Sequence, residues 1–535
     1  MRPTLKVAIA AVVLLSLAVA AGVVAYLQRP LPKPGVAHLR IAYAMLMPGP
    51  PTVPHLSMVK EVVSAFKSWY EAKTGVKVVV SVDYVEMVEL RKEIGIGKPK
   101  YDVWWGGLAE AFEDEKEYLL PFNSTQKDVL LSLVPNGTVL NCPIMDLEGP
   151  TPTWYAWCLY APCLLYDPST LPEVPSSWEE LASPRLENQV IVPNFLPEAP
   201  TDPFLKHVCL VIYASEAWRL GNESLGWVAA WNTSVVLWAI VEDLSDAPFI
   251  DALRVVAGDK WAMLCSDILA YHMLIEAGYS GLAVRYLNAS LLFPCPVAVL
   301  KGAENEEVAK AFVDFLLSAE GQSIVARHLM PIRPDVSPSP PVISPFSPQF
   351  PGVKEFNETF LRIGAEFVYD YVRTWLVEHH RPQAKGSLRT AWWWIKRANE
   401  TKEANENATR YFNYAWANFT AMSRYVSRAD FATIYNETDA WTDKASVLAE
   451  WRRAAEAAFT NATECARRSI ELAENATAQS QPAPGWPGSL GPGKGLSERP
   501  ASPRPEPCPG REPELGCSWP VEWRPRSPRY PGDCR

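Results

Sequence analysis

The residues with the plainest chemistry in this chain are asparagines. Twelve of its eighteen stand in Asn-X-Ser/Thr with X not Pro: Asn123, Asn136, Asn222, Asn232, Asn288, Asn357, Asn399, Asn407, Asn418, Asn436, Asn461 and Asn475. Chance would supply about two such sites at this Ser and Thr content. Each is an acceptor for an N-linked sugar, a bulky hydrated group carried on surfaces outside the cytoplasm. Machinery for covalent catalysis is absent from the sequence: it has no GxSxG elbow, no HExxH pair and no Walker loop. The seven His are scattered, and the adjacent His379-His380 reads as exposed rather than metal-binding. Six cysteines (Cys142, Cys158, Cys163, Cys209, Cys265 and Cys295) precede residue 300. They allow fifteen pairings, among which sequence does not choose, and there is no CxxC or zinc-type spacing. What remains is binding chemistry. In Tyr101–Gly107 (YDVWWGG) a short apolar run ends on Gly106-Gly107. Glycine there lets a ligand approach the backbone amides, and the same pair also serves as a plain turn.

The elements around that pair alternate. A strand is expected over His38–Ala44, a helix near Leu56–Lys73 stopping at Gly75, and a β-branched strand over Val76–Val82. A helix over about Tyr84–Ile94, the apolar strand at Tyr101–Gly107 and a helix from about Glu110 follow. This βαβαβ order predicts a parallel sheet with right-handed crossovers. Ligands of such sheets sit at the carboxyl ends of the strands, beside helix N-termini, where Gly106 and Gly107 fall.

The N-terminus agrees with export. Arg2 and Lys6 precede an uncharged run from Val7 to Leu27, long enough to span a bilayer as a helix. Ala18-Val19-Ala20 offers a cleavage site, so a removed signal peptide and an uncleaved anchor both stay open, the anchor being preferred. With 535 residues, 48% of them apolar, the chain has room for two or three domains. A net charge of −10 with no long basic run argues against nucleic acid as a partner.

Three segments carry a resemblance. YDVWWGGLAEAFEDEKEYLLPF, Leu164–Phe195 (LLYDPSTLPEVPSSWEELASPRLENQVIVPNF) and Pro296–Val336 (PVAVLKGAENEEVAKAFVDFLLSAEGQSIVARHLMPIRPDV) resemble, in order, segments of extracellular solute-binding proteins of ABC importers. The group is the one that contains iron(III), thiamine, polyamine and phosphonate binders, and the anchor and sequons suggest an archaeal-type surface member. In the third segment Asn305 is the expected N-cap, and Val308, Ala311, Phe312, Phe315 and Leu316 form one apolar stripe.

The resemblance implies an α/β, two-lobed periplasmic-binding-protein type II fold with a hinge, followed by a C-terminal α-helical extension. The expected boundaries are 1–37 for anchor or signal and spacer, 38–145 for the first part of lobe 1, 146–290 for lobe 2, and 291–335 for the return to lobe 1. A Pro-rich linker over 336–352, a glycosylated helical spacer or cap over 353–478, and a disordered or frameshifted tail over 479–535 complete the chain. The tail lacks the Ser/Thr/Pro stalk and C-terminal membrane helix common in archaeal-type relatives.

By the same resemblance the solute contacts are Trp105, Gly106 and Gly107; the aromatics Trp154, Tyr155 and Trp157, which equally suit hinge core; Thr201; and Asp267 with Tyr271. The iron binders' adjacent Tyr-Tyr pair is missing, which argues for an organic or oxyanionic solute rather than ferric iron. The expected function is a cell-surface receptor that hands its solute to an ABC permease, with no cofactor, no metal and no enzymatic activity. The alternative is a secreted hydrolase or adhesive surface protein reusing the two-lobed fold.

Overall fold

The computed structural model describes residues 35–45, 56–95, 99–140, 142–171, 173–192, 203–241, 248–353, 374–375, 386–422 and 444–480. The segment 7–27, Thr201, Asn357, His379-His380, Asn436 and the tail beyond 480 lie outside them. Among the described residues no helix is long and apolar enough to cross a membrane. Contacts divide the chain into two units. One comprises residues 1–178, 188–215 and 244–358, and the other 179–187, 216–243 and 359–535.

The first unit is built on two sheets. It opens with β1 (Ala37–Met45), α1 (Leu56–Thr74), β2 (Val78–Glu86), α2 (Met87–Gly95), β3 (Val103–Trp105) and α3 (Ala109–Asp114), the alternation expected from sequence. β1 pairs in parallel with both β2 and β3. Because β1 is central, its residues from Ile41 to Ala44 are buried on both faces and read as a continuous apolar run. α1 buries Met58, Val59, Val62 and Phe66, a stripe at helical spacing. It stops where Gly75, at φ +71°, donates its N–H to Glu71 O at 2.8 Å.

A small hairpin, β4 (Thr138–Val139) and β5 (Cys142–Pro143), precedes β6 (Tyr155–Tyr160) and β7 (Pro162–Tyr166). Then come β8 (Val190–Ile191), α4 (Pro203–Leu220), the helix α5 (Glu223–Ile240), which belongs to the second unit, and α6 (Pro248–Val256). β9 (Ala262–Ser266), α7 (Asp267–Tyr271), β10 (Ala283–Arg285), β11 (Phe293–Val299), α8 (Glu306–Leu317) and α9 (Ala319–Val325) close the unit. The first sheet has the order β2-β1-β3-β11-β6 and the second β10-β7-β9-β8. β11 runs antiparallel to both β3 and β6, so the first sheet is mixed rather than wholly parallel. This returning strand, inserted beside β3 after the chain has built the second sheet, gives the two-lobed type II arrangement.

Asn305 precedes α8 as expected but does not cap it with its side chain. It turns to the buried Asp102, donating its backbone N–H at 3.2 Å and Nδ2 at 3.5 Å. A buried carboxylate left without donors costs more than a missing cap, so Asp102 takes Asn305 along with the Arg40 N–H at 2.8 Å.

The second unit is helical. α5 is buried on nearly every side from Trp227 to Ile240. α10 (Ser387–Thr401), α11 (Glu406–Phe419) and the 37-residue α12 (Lys444–Ser480) supply the rest. Ala455, Ala458, Ala462, Ala466 and Ala473 line the buried side of α12. Residues that small let α12 lie close to its neighbours, and Phe419 fills the gap between Trp392 at 5.8 Å and Phe459 at 5.9 Å.

Candidate functional site

The chain passes between the two sheets three times. The first crossing is Ala161, between β6 and β7; the second is residues 286–292, between β10 and β11. The third follows α9, where Met330 bridges Leu159 and the chain later reaches the Ser290–Gly352 bridge. One polar cluster holds all three. Asp267, the first residue after β9, accepts the Ala161 N–H at 3.2 Å and the Tyr286 hydroxyl at 2.9 Å on Oδ2. Its own N–H returns to Ala161 O at 3.1 Å. The Tyr286 and Tyr271 hydroxyls lie 2.6 Å apart, and Tyr271 accepts the Ile343 N–H at 3.2 Å. Burial raises the Asp267 carboxyl to about 7, against the pull of Tyr286 and the backbone N–H groups. Burial likewise raises both phenols.

A second cluster joins residues of both lobes. Glu110 is in the first turn of α3, just beyond Gly106-Gly107, and Lys206 and His207 lie near the start of α4. Glu110 Oε1 is 2.8 Å from His207 Nε2 and 3.9 Å from Lys206 Nζ. His207 Nδ1 is 2.5 Å from the Tyr160 hydroxyl, and its ring stacks on Phe293 at 3.7 Å. Burial alone would raise Glu110, but His207 and Lys206 overcome it and leave the carboxyl at about 2. Burial pushes His207 below its ordinary value despite Glu110. At neutral pH this is an ionised carboxylate beside a neutral imidazole. The network assigns the tautomer: Nε2–H donates to Glu110 and Nδ1 accepts from Tyr160.

The glycines are required where they stand. Gly106 and Gly107 have φ of +88° and +104°. A Cβ on Gly106 would lie 3.1 Å from Ala44 O, and one on Gly107 3.3 Å from Met87 Sδ.

The aromatic residues expected to contact the solute are all buried. Trp105 and Trp157 touch edge to face at 5.4 Å, and Trp105 meets Phe312 of α8 at 5.3 Å; all are buried in the first lobe. Tyr155 is buried with them, donating to Phe122 O and accepting the Ser124 N–H, both at 2.9 Å. The Trp154 indole donates to Glu113 Oε1 at 2.7 Å, and Tyr160 lies beyond a register shift in the β6–β11 ladder. Asp267 and Tyr271 come together through Tyr286, and Thr201 is outside the described residues. Sequence reasoning did not single out Glu110, Tyr160, Lys206, His207 or Tyr286. Their partners lie tens of residues away, and no local pattern marks them.

Glu113, Asp146 and Glu148 bring carboxylate oxygens within 4.8 Å of one another. Lys116 Nζ sits among them, at 3.1, 2.8 and 3.0 Å, so an ammonium already fills the cluster. Among the sequons in described residues, Asn123, Asn136, Asn222, Asn288, Asn407 and Asn475 are exposed, and Asn232, Asn399, Asn418 and Asn461 are half-buried.

A family model described as bacterial extracellular solute-binding protein matches residues 158–328, from β6 to α9 and its continuation. The chain is 25% identical over 152 residues to the phosphoglycerate transport regulatory protein PgtC of Salmonella typhimurium, covering 28% of this chain and 34% of that protein. It thus spans about a third of the length of that relative. It is 24% identical over 275 residues to the iron uptake protein A1 of a Synechocystis species, covering 48% and 69% of the two chains. Similar solved structures include the periplasmic binding protein P5PA, at 17% identity, 63% and 98% coverage and a TM-score of 0.45. Another is iron-bound HitA from Pseudomonas aeruginosa, at 18% identity, 61% and 98% coverage and a TM-score of 0.41.

Proposed function

We propose that this protein is a solute-binding receptor of an ABC-type importer, acting outside the cytoplasm. The observation that carries the reading is the meeting of Glu110 with Lys206 and His207, drawn from the two lobes across three pivoting crossings. A solute that binds both lobes favours the closed form and shifts the population toward it, and the closed form is what a permease reads. The family match over residues 158–328 supports the same class.

The solute is a small organic anion, carboxylate or phosphate. Lys206, near the start of the 18-residue α4, offers a cationic group, and the Gly107 amide offers a donor from the other lobe, the Gly106 N–H being held by Pro296 O at 2.9 Å. Ferric iron is not the cargo in this reading. The two phenols that do converge, Tyr271 and Tyr286, are committed to each other, to Asp267 and to the Ile343 N–H. Residues 7–27 hold the receptor at the cell surface as an uncleaved anchor, in the archaeal manner, and residues 353–478 act as a sugar-coated spacer.

Thermal unfolding of the full chain with 3-phosphoglycerate, citrate, ferric citrate and inorganic phosphate tests this. An organic anion at a hundredfold excess over its Kd is expected to stabilise by about 2.7 kcal/mol. His207→Ala is expected to abolish the shift while far-ultraviolet circular dichroism still reports a folded chain. Stabilisation by ferric ion alone overturns the choice of solute. No shift with any probe, together with hydrolysis of a glycoside or peptide, overturns the receptor.

A further inference from the structure

The ladders choose among the fifteen pairings that sequence left open. β6 and β11 set Cys158 directly opposite Cys295, and β7 and β9 set Cys163 directly opposite Cys265. Directly opposed residues of an antiparallel pair have Cα atoms about 4.5–5.5 Å apart, within the range of about 4.4–6.8 Å that a disulfide spans. In each pair the two side chains are in hydrogen-bond contact. All four are buried. Among the other described cysteines, Cys142 faces Val139 across β4–β5, Cys209 lies on α4 and Cys465 on α12.

We propose that Cys158–Cys295 and Cys163–Cys265 are oxidised to two disulfides as the chain folds, with a protein or small-molecule disulfide as the oxidant. In each case one cysteine thiolate attacks the donor disulfide, forming a mixed disulfide and releasing one donor thiol. The second cysteine then displaces the other donor sulfur. Each pair gives up two electrons and two protons, and the donor ends as two thiols. Exchange belongs to folding, before the sheets close. Once Cys158 and Cys163 are buried, their thiols are pushed well up and thiolate is scarce.

The placement gives the bridges a purpose. Cys158 and Cys163 flank Ala161, the first crossing. One bridge fastens β6 to β11 inside the first lobe, and the other fastens β7 to β9 inside the second. Ala161 between them stays unlinked. Two stapled lobes around a free pivot suit rigid-body closure, in which the lobes move and do not deform. Each bridge also closes a loop of more than about a hundred residues, where the constraint on the unfolded chain is large. The supply of oxidant rests on the exported receptor proposed above; the choice of pairs rests on the ladders alone.

The test is a disulfide map. The full chain is refolded with oxidised and reduced glutathione, unfolded in guanidinium with N-ethylmaleimide and no reductant, and digested for mass spectrometry. The expected result is two linked peptide pairs, Cys158 with Cys295 and Cys163 with Cys265, while Cys142, Cys209 and Cys465 are alkylated. Cys158→Ser is expected to lose the first link only, and Cys163→Ser the second only. Alkylation of all four cysteines, or links from them to other partners, overturns the pairing. The same map on protein taken from the native cell separates the two claims: four reduced cysteines there, with both links formed in glutathione, overturn the exported location and leave the pairing standing.

Discussion

The sheet unit and the helical unit treat buried polarity in opposite ways. In the sheet unit, buried carboxylates are met by donors from distant parts of the chain. Asp102 takes Arg40 and Asn305, Asp146 takes Lys116 and the Thr153 hydroxyl, and Asp267 takes Ala161 and Tyr286. In the helical unit alanine and aromatic rings line the described core, and the buried Glu216 is met from nearby in the chain, by Arg219 at 2.6 Å and the Thr233 hydroxyl at 3.3 Å. Asn405 caps α11 by accepting the Ala408 N–H at 2.8 Å, and Ser469 donates to Ala408 O at 2.7 Å. Long-range polar pairs fix the relative placement of elements, whereas a small-residue helix seam needs only spacing and volume. In the function proposed above, binding geometry belongs in the first unit, and the second supplies bulk and surface.

The largest effect that can break this contrast is loss of a core ring from each unit. Phe312 packs on Phe66 at 5.2 Å and Trp105 at 5.3 Å, and Phe412 is fully buried in the helices. Phe312→Ala and Phe412→Ala are each expected to cost about 3–5 kcal/mol in urea unfolding. Only Phe312→Ala is expected to weaken solute-induced stabilisation as well. A Phe412→Ala variant that folds but no longer responds to solute places the helical unit inside the receptor site and ends the distinction.

Asp267 sharpens it next, through pH. Its folded value of about 7 stands above the ordinary 3.8 because burial disfavours the charge. Between those values the folded protein holds more protons than the unfolded chain, so stability is present at low pH and is lost as pH rises through about 7. Asp267→Asn cannot ionise. Relative to it, the wild type is expected to lose on the order of 4 kcal/mol between pH 4 and pH 8. Urea midpoints of both proteins at several pH values read this directly, and parallel pH profiles would refute it.

The same contrast explains what the sequence disclosed. The order from β1 to α3 and the strand that became β11 were legible because periodicity and glycine stops are local signals. The parallel pairing of β1–β3 followed from their order, but the antiparallel place of β11 did not, since β11 joins β3 only after the second sheet is complete. Asp267 and Tyr271 were singled out without Tyr286, the residue that joins them. Glu110 and His207 went unnoticed because 97 positions separate them. Trp105, Tyr155 and Trp157 were singled out by the resemblance, and the structure buries all three, Trp105 against Phe312 of α8.

A smaller effect is expected at Gly106. Its φ of +88° costs an L-residue about 1–2 kcal/mol, and the new Cβ would crowd Ala44 O at 3.1 Å. Gly106→Ala is expected to lower stability by about that amount and to weaken solute binding, since Glu110 follows four residues later on the same turn. Unchanged binding by titration calorimetry would separate the glycine turn from the site.

The smallest effects concern the sequons, and they distinguish surface from structure within the helical unit. Asn222 caps α5, its Oδ1 accepting the Leu225 N–H at 2.9 Å. Asn407 is exposed in the first turn of α11, where Asn405 already provides the cap. Asn222→Ala is expected to cost about 1 kcal/mol, and Asn407→Ala less than about 0.5 kcal/mol. Ser224→Ala destroys the Asn222 sequon and leaves the cap untouched, so it is expected to be as neutral as Asn407→Ala. A sugar is attached through Nδ2 and the cap is made by Oδ1, so one asparagine can do both at once. For the exported glycoprotein proposed above, each of the three substitutions is expected to remove one glycan's mass, while only Asn222→Ala moves the melting curve. Equal melting losses in Asn222→Ala and Ser224→Ala would show that the sugar, and not the cap, stabilises that helix.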